Sequence, residues 1–418
     1  MVQDKFSYNL IYYLLCFLPL SIIIGPTVSL ISIILISILF LIIWIRKNDF
    51  VFQNNYLINF FLILFIYFIF NTFLGIEFEN SYSRNLGFIR FILLFFAINY
   101  LFIKLKNENN IFKFWLIILS ILIFDSYYEV VFGANIFGWG DKDEALGPRI
   151  ISFFKDEAIV GAYLAGFFLI ISSNFLNNKN SKNKKVYFLT FFLTSILLIF
   201  LTGERSNFLK AIFGASIFLF FSKEITKKNI LYILILFSLV ITVVLSSSSY
   251  LKLDRYSYLI NFISIKDGQI EIKDNLYFYL YRSGYHVFSE NKIFGVGTKN
   301  YRKYSEKRSK ELRNTEDKNK FIIDTHPHQI YLEFLSEHGL FGTITVLSLF
   351  IFVFFKMLKI IILNRNNIQI ACFCYLVSIF LPLIPSGSFF TDFNSTLFWI
   401  NFSIFFAVSK ESNIFKLK

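Results

Sequence analysis

Long apolar runs limit the folds open to this chain more than any other feature of its sequence. A helix that crosses a bilayer needs about 20 mostly apolar residues, and residues 27–45 carry no charged side chain at all. The pattern predicts an all-α polytopic membrane protein with about twelve spans. The predicted spans are residues 8–24, 27–45, 56–75, 88–104, 111–131, 158–176, 186–202, 206–222, 229–248, 339–361, 369–385 and 391–409.

The composition excludes a soluble globular protein and a disordered chain. Hydrophobic residues make up 56% of the sequence and charged residues only 17%, whereas a soluble domain has about 25% charged residues. A disordered chain would contain far fewer apolar side chains. The three cysteines, Cys16, Cys372 and Cys374, lie in apolar runs, so we expect neither a disulfide framework nor a cysteine zinc site.

The chain has a net charge of +13, and the distribution of its Lys and Arg residues predicts the orientation of the chain in the membrane. Alternate short segments hold 19 of the 41 Lys and Arg residues, and the short loops on the other side hold five. Because Lys and Arg favour cytoplasmic loops, we expect both termini in the cytoplasm and no nucleic-acid partner. The basic segments are the N-terminus, residues 46–55, 104–113, 177–185, 223–228 and 356–368, and the tail from residue 410.

One long segment, residues 249–338, is predicted on the outer face. It separates residues 1–248, with predicted spans one to nine, from residues 339–418, with spans ten to twelve and a cytoplasmic tail. A loop of this length between spans is usually functional. Its sequence predicts mostly helical structure, with helices near 277–289, 301–313 and 330–338.

Titratable side chains gather in this loop just before its last predicted helix, at Asp324, His326 and His328. Three hypotheses are open. One histidine could be a general base, because the pKa of histidine suits that task near neutral pH. The three residues could instead bind a metal, or they could be ordinary surface residues at a helix start. Pro327 is expected in the first turn of that helix.

Two arginines lie at the predicted outer interface, where basic residues are scarce. Arg149 directly precedes the sixth predicted span, and Arg205 lies in the turn between the seventh and eighth. Arginine binds phosphate oxygens in a bidentate fork and keeps its charge, so the pair could hold a pyrophosphate; interfacial snorkelling is the alternative. Other ionisable residues near span ends, which pairing between helices would also explain, are Arg90, Asp125, Glu129, Lys210 and Asp392.

Four motifs resemble those of the bacterial O-antigen ligase and polymerase family. Residues 326–342 read HPHQIYLEFLSEHGLFG, similar to the family's histidine, amide, Tyr-Leu and Glu-x-Gly-x-x-Gly signature entering a span. Residues 291–297 resemble its Gly-x-Gly turn, although the preceding proline is missing. Residues 201–206 and 149–161 resemble its two arginine motifs. The motifs follow the family's order over the whole chain.

The resemblance implies a membrane glycosyltransferase of the bacterial inner membrane, with its active site facing the periplasm. The donor would be a glycan on undecaprenyl pyrophosphate, and the acceptor lipid A-core in the ligases or another lipid-linked glycan in the polymerases. The reaction would be inverting and would need no metal or other cofactor. Membrane lipids are the remaining expected partners. A lipid-linked glycan flippase or transporter is an alternative from another class, but flippases need polar groups through the bilayer depth, or an internal repeat.

Residue roles follow from the same resemblance, position by position. It implies that His328 is the base that deprotonates the acceptor and that Arg149 and Arg205 neutralise the pyrophosphate. Gln329 stands where the family prefers asparagine, and Arg282 is one of two candidates, with Arg255, for an arginine of the loop. The supporting or acceptor-binding candidates are His326, Glu157, Glu204, Arg282, Gln329, Tyr331 and Glu337.

Overall fold

Apolar helices form nearly all of the described structure. The structure is a computed structural model. It describes residues 2–47, 50–105, 109–141, 149–177, 182–226, 276–313 and 321–417, residues 228, 235 and 238, and two short strands at 263–266 and 269–272. The predicted ninth span, 229–248, otherwise lies outside the described residues.

Among the described residues, eight helical segments are long and apolar enough to cross a membrane, which makes the chain a polytopic membrane protein. They correspond to eight of the twelve predicted spans. Helices α4 (Phe78–Gly87) and α5 (Ile89–Lys104) together form one of them. The other seven helices are α1 (Val2–Ile24), α2 (Pro26–Lys47), α3 (Asn55–Leu74), α6 (Asn109–Phe132), α7 (Val160–Asn177), α8 (Lys184–Leu201) and α12 (Ile330–Asn364).

Three further described helices lie at predicted spans but have only 17, 13 and 16 residues, and the last two are shorter than predicted. They are α9 (Arg205–Phe221), α13 (Asn367–Ile379) and α14 (Asp392–Ala407). Helix α13 ends well before residue 385, the predicted end. Pro382 and Pro385 explain the difference, because proline lacks the backbone N–H and disfavours helical geometry in the residue before it. The freed segment, residues 380–391, crosses the end of the bundle and helps to build the cavity described below.

The helices pack into one bundle whose ends differ. Helix α1 packs on α2 and α6, α7 on α8 and α13, and α14 on α5 and α13. At one end, strand β1 (Phe50–Phe52) pairs antiparallel with the C-terminal strand β4 (Phe415–Leu417). The amide of Gln53 reinforces this pairing by donating to the Lys410, Asn413 and Phe415 carbonyls. This end carries segments predicted to be cytoplasmic.

The described part of the long loop contains two helices and a hairpin. Helices α10 (Leu276–Glu290) and α11 (Tyr301–Glu311) coincide with the predicted helical stretches. The hairpin joins strands β2 (Ile263–Lys266) and β3 (Gln269–Ile272), which are antiparallel and were not anticipated from the sequence. Helices α10 and α11 pack against α12 and against each other.

Helix α12 is kinked at Gly339, where φ is 62° and ψ is −169°. The sequence predicted that this glycine ends the loop helix. A kink leaves backbone groups without helical hydrogen-bond partners. The turn at residues 291–297 supplies the missing partners. The N–H of Val296 donates to the Ser336 carbonyl at 2.9 Å, and the N–H of Leu340 donates to the Lys292 carbonyl at 2.8 Å. The Gly-x-Gly turn therefore braces the point where the loop helix enters the membrane.

We expect Gly339→Ala to destabilise the protein strongly. A Cβ atom at this position would lie 2.3 Å from the Ile293 carbonyl oxygen, and φ is in the left-handed region. The strained dihedral alone costs about 1–3 kcal/mol, and the clash forces the brace apart. Gly133→Ala is the matched control, because φ there is +77° with nothing within 4 Å. Thermal unfolding of detergent-solubilised protein should show a clearly larger loss for Gly339→Ala; equal losses would contradict the bracing role.

Candidate active site

A cavity of about 710 Å³ lies at the end of the bundle opposite the β1–β4 pair. Pro26, at the start of α2, lines this cavity, whereas Lys47 ends the same helix near β1. The cavity brings together His328, Arg149 and Arg205, which are far apart in the sequence. Its other charged or ring-bearing polar lining residues are Arg84, Glu157, Glu204, Lys210, Tyr277, Tyr375 and Asp392.

The backbone around His328 is held on both sides. Gln329 is the N-cap of α12, and its side-chain oxygen accepts from the Leu332 N–H at 2.8 Å. The His328 carbonyl accepts from the Ser386 N–H at 2.9 Å. His328 itself has a φ of +53°, an uncommon value for a residue other than glycine. Strain of this kind is typical of functional positions, and here it turns the imidazole toward the cavity.

The helix start differs in one detail from the prediction. Pro327 was expected in the first turn of the helix, but α12 begins at Ile330. The side chain of Gln329 satisfies a free N–H of the first turn, which is the usual role of an N-cap. Pro327 instead packs against Gly284 of α10. The contact is close, because a Cβ atom added to this glycine would lie 2.6 Å from the Pro327 side chain.

His326 lies beside His328 and is fixed by two hydrogen bonds. Its ring is 4.0 Å from the His328 ring, with 34° between the planes. Nε2 contacts the Ser386 carbonyl at 3.1 Å, so it carries the proton, and Nδ1 can then accept from the Thr325 hydroxyl at 2.8 Å. Burial, followed by the neighbouring His328, lowers the pKa of His326 to about 4. His326 is therefore a neutral, immobilised neighbour.

The metal hypothesis can be tested against these contacts. Ligand atoms of Asp324, His326 and His328 lie within 4.8 Å of one another. Both ring nitrogens of His326 are already used in hydrogen bonds, however, and a metal needs a free lone pair on one of them. Asp324 instead lies 3.4 Å from His328 Nε2. These contacts favour a carboxylate–histidine pair, in which Asp324 orients His328, and they argue against a metal centre.

Two carboxylates of α6 position the segment that carries Arg149. Glu129 accepts from the N–H groups of Ile151 and Ser152, at 3.1 and 2.6 Å. Asp125 accepts from the hydroxyl of the same Ser152. Burying carboxylates in a membrane helix is costly unless they are hydrogen-bonded, and these bonds explain why both acids occur near the end of the span.

Arg149 itself is presented to the cavity from this anchored segment. Its backbone N–H donates to the Asp141 carboxylate at 2.8 Å. Its side-chain Nε is buried and has no hydrogen-bond partner among the described residues. A buried donor without a partner is unfavourable, so the Arg149 guanidinium is well placed to bind an anion inside the cavity.

Glu204 connects the start of α7, the helix that follows the Arg149 segment, to the start of α9, whose first residue is Arg205. Its carboxylate accepts from the Gly161 N–H at 2.5 Å, from the N–H of the next residue at 3.1 Å and from the Asn207 amide at 2.7 Å. Burial raises the pKa of Glu204 to about 7, although these bonds and the charge of Arg149 oppose the rise. Glu204 thus sets the positions of α7 and α9 around the cavity.

The remaining predicted candidates lie in different surroundings. Glu157 is exposed and lines the cavity. The Tyr331 hydroxyl donates to the Phe380 carbonyl at 2.6 Å, which ties α12 to the end of α13. Glu337 is buried beneath the cavity region and is not among its lining residues. Arg282 is exposed on α10, with Nε 3.4 Å from His286 Nε2, and does not line the cavity either.

Sequence reasoning did not assign the part of the cavity wall formed by α4 and the segment before α14. Arg84, on α4, binds the Asp392 carboxylate at 2.8 Å. Ser386 and Gly387 also line the cavity, and they lie between Pro385 and the start of α14. The signal was present in Pro382 and Pro385. Read as helix breakers, they would have placed residues 386–392 in a loop at the same end as His328.

The fold is that of a polytopic membrane protein with a cavity at one end of a helical bundle, and several cationic side chains line that cavity. Residues 189–347 match the family model described as O-antigen ligase. This segment therefore carries a domain of the O-antigen ligase type, which is found in membrane glycosyltransferases of the O-antigen ligase and polymerase family, and it confirms the resemblance over these residues. The match includes Arg205 and His328 but not Arg149. No curated protein sequence matches the chain.

Proposed function

We propose that this protein is an O-antigen ligase-type enzyme. It transfers a glycan from undecaprenyl pyrophosphate to lipid A-core or a similar acceptor, on the periplasmic face of the inner membrane. The observation that supports this most directly is the single cavity lined by His328, Arg149 and Arg205. A base and two cations are what the reaction needs, because the pyrophosphate is already an activated leaving group.

The proposed reaction is one displacement at the anomeric carbon. A ring nitrogen of His328 takes the proton of the acceptor hydroxyl, and the hydroxyl oxygen forms the new bond to the anomeric carbon. The bond from that carbon to the pyrophosphate oxygen breaks, and the electron pair leaves with the pyrophosphate. Attack opposite to the leaving group inverts the configuration.

Charge stabilisation completes the mechanism. Arg149 and Arg205 neutralise the negative charge that grows on the leaving pyrophosphate. Asp324, 3.4 Å from His328 Nε2, stabilises the imidazolium that forms, as the carboxylate does in a catalytic triad. In this arrangement Nδ1 of His328 is the nitrogen that accepts the proton.

The membrane orientation supports a periplasmic reaction. The cavity lies at the opposite end of the bundle from Arg46, Lys47 and the β1–β4 pair, and lysine and arginine favour the cytoplasmic side. The donor carries its own leaving group, so the proposed step needs no ATP.

A deletion followed by analysis of the sugar chains tests the ligase assignment. If the protein is a ligase, long glycan chains should accumulate on the carrier lipid without reaching lipid A-core. If single repeat units accumulate instead, the enzyme is a polymerase of the same family and the ligase proposal is wrong. Complementation with the intact chain should restore the original pattern.

We expect transfer to continue in the presence of a metal chelator. The proposed chemistry uses two arginines and a histidine, and the nitrogens of His326 are engaged in hydrogen bonds rather than open to a metal. The measurement is the transfer rate of purified enzyme before and after incubation with excess EDTA. A loss of activity that added divalent metal restores would contradict the metal-independent mechanism.

A further inference from the structure

A cluster of ionised side chains lines the cavity wall formed by α4 and α14. Nη1 of Arg84 lies 2.8 Å from Oδ1 of Asp392, and Nη2 of Arg90 binds the same oxygen. Both arginine side chains are only 15% exposed, and the Asp392 side chain is 33% exposed. Partial burial makes these charges less screened than surface ion pairs.

A third cation lies near this cluster. Lys299 is close enough that Arg84 contributes, after burial, to lowering its pKa. Asp392 is the first residue of α14, and a helix N-terminus stabilises a negative charge by itself. Asp392 therefore does not depend on Arg84 for its stability.

Two buried carboxylates, Glu333 and Glu337, lie nearby. Glu333 accepts from the Ser388 hydroxyl and from the Phe389 N–H, the latter at 2.9 Å. Glu337 accepts from the backbone N–H groups of Lys299 and Tyr301, while its Oε2 is buried with no hydrogen-bond partner among the described residues. Neither residue lines the cavity, so neither competes for a ligand that enters it.

The two arginines differ in their access to the cavity. Arg84 lines it, whereas Arg90 does not and also packs over the Phe91 ring at 4.8 Å. If Arg84 turned toward a ligand, Asp392 would keep Arg90 as its partner. An incoming anion can thus replace Asp392 at Arg84 without leaving a buried carboxylate unpaired, which is the usual cost of breaking such a pair.

The location of Arg84 separates it from the two arginines proposed to hold the donor. Arg149 and Arg205 come from the segments that begin α7 and α9, whereas Arg84 comes from α4 and faces Asp392 of α14. Ser386, which is bonded to the His328 backbone, belongs to the segment that leads into α14. The backbone of the base is therefore attached to the segment that leads into the α14 wall.

We propose that Arg84 is an anion-binding subsite for the acceptor, which takes a phosphate or carboxylate substituent on the acceptor glycan in exchange for Asp392. This inference rests on the proposed transfer function and adds a requirement to it: the preferred acceptor is negatively charged. The subsite would hold the acceptor on the opposite side of His328 from the donor pyrophosphate.

Binding to the purified full-length protein tests the subsite without requiring transfer. The protein is first saturated with inorganic pyrophosphate and then titrated with one of three probes. Two probes are anionic, glucosamine 1-phosphate and glucuronic acid, and the third is an uncharged glucosamine derivative. We expect the two anionic sugars to bind and the uncharged sugar not to bind. Arg84→Gln should weaken binding of the anionic sugars by about 10- to 100-fold, as expected for loss of a charged hydrogen bond, and leave pyrophosphate binding unchanged.

Two further variants keep the test decisive if Arg84→Gln is poorly folded. Arg84→Lys keeps the charge and should lose only part of the affinity. Asp392→Asn removes the competing carboxylate and should bind the anionic sugars more tightly, a gain that misfolding cannot produce. Arg302→Gln, an exposed arginine of α11 outside the cavity, is the matched control and should bind like the wild type.

Three results would overturn the inference. Equal binding of charged and uncharged sugars would exclude an anion subsite. Unchanged binding by Arg84→Gln would place the subsite elsewhere. Loss of pyrophosphate binding in Arg84→Gln would assign Arg84 to the donor. If the anionic sugars bind as expected but no glycan transfer is ever observed, the proposed function fails while the subsite stands.

Discussion

Replacing His328 with alanine is expected to lower the rate of glycan transfer by about 10²- to 10⁴-fold, the contribution typical of a general base. The imidazole is the titratable group that lines the cavity next to a carboxylate oriented toward it, Asp324 at 3.4 Å. Without it the acceptor hydroxyl must lose its proton to water. The measurement is the initial rate of product formation by purified enzyme with both substrates saturating.

His286→Ala is the control for this experiment. His286 lies on α10 outside the cavity, so the same change of residue type should leave the rate near that of the wild type. Membrane insertion of both variants should be unchanged, and each should lose only a little thermal stability, because the His328 ring makes an edge contact with Tyr277 of α10 and lies beside the His326 ring but belongs to no helix. A His328→Ala variant that transfers at the wild-type rate would refute the catalytic assignment.

Replacing either Arg149 or Arg205 with glutamine is the change with the next largest expected effect. Each should lower the transfer rate by about 10²- to 10³-fold, the loss typical of removing one group that stabilises charge in the transition state. In the proposed role each arginine donates two N–H groups to pyrophosphate oxygens in a bidentate fork, so lysine should restore only part of the activity. The measurement is the rate at saturating donor together with the KM for the donor.

The pattern across variants distinguishes a substrate-binding role from a structural one. A structural defect would lower thermal stability and would raise the KM for donor and acceptor alike. Loss of pyrophosphate contacts would affect the donor KM and the rate but not the acceptor KM. If Arg149→Gln and Arg205→Gln both keep the wild-type rate and donor KM, the pyrophosphate site lies elsewhere, and interfacial snorkelling explains these arginines.

The parts of the site that could be predicted are those marked by rare residue types in a simple pattern. Arg149 and Arg205 stood out because basic residues are scarce at the predicted outer interface, and His328 because the histidines cluster in one loop. Apolar run length identified eight spans that the structure also has. One glycine after an amphipathic run predicted that the loop helix ends at Gly339, and the structure has a kink in a longer helix at that residue.

Other parts depend on contacts between distant segments. Glu204 is one residue from Arg205, yet its carboxylate joins the start of α7 to the start of α9, which no local pattern reveals. The hydrogen bond from the Ser152 N–H to the Glu129 carboxylate also joins distant segments, and no local sequence pattern reveals it. In the sequence alone Arg84 is one of several loop charges, because its partner Asp392 lies about 300 residues later in the chain.

One measurement tests the central claim most directly: the ratio of undecaprenyl pyrophosphate released to glycosidic bonds formed. Purified full-length protein would be incubated with a glycan on undecaprenyl pyrophosphate and an acceptor glycolipid in membrane vesicles. The proposed mechanism predicts one released undecaprenyl pyrophosphate for every new bond, with the anomeric configuration inverted. Movement of the intact lipid-linked glycan across the membrane, with no pyrophosphate release and no new bond, would contradict it and identify a flippase.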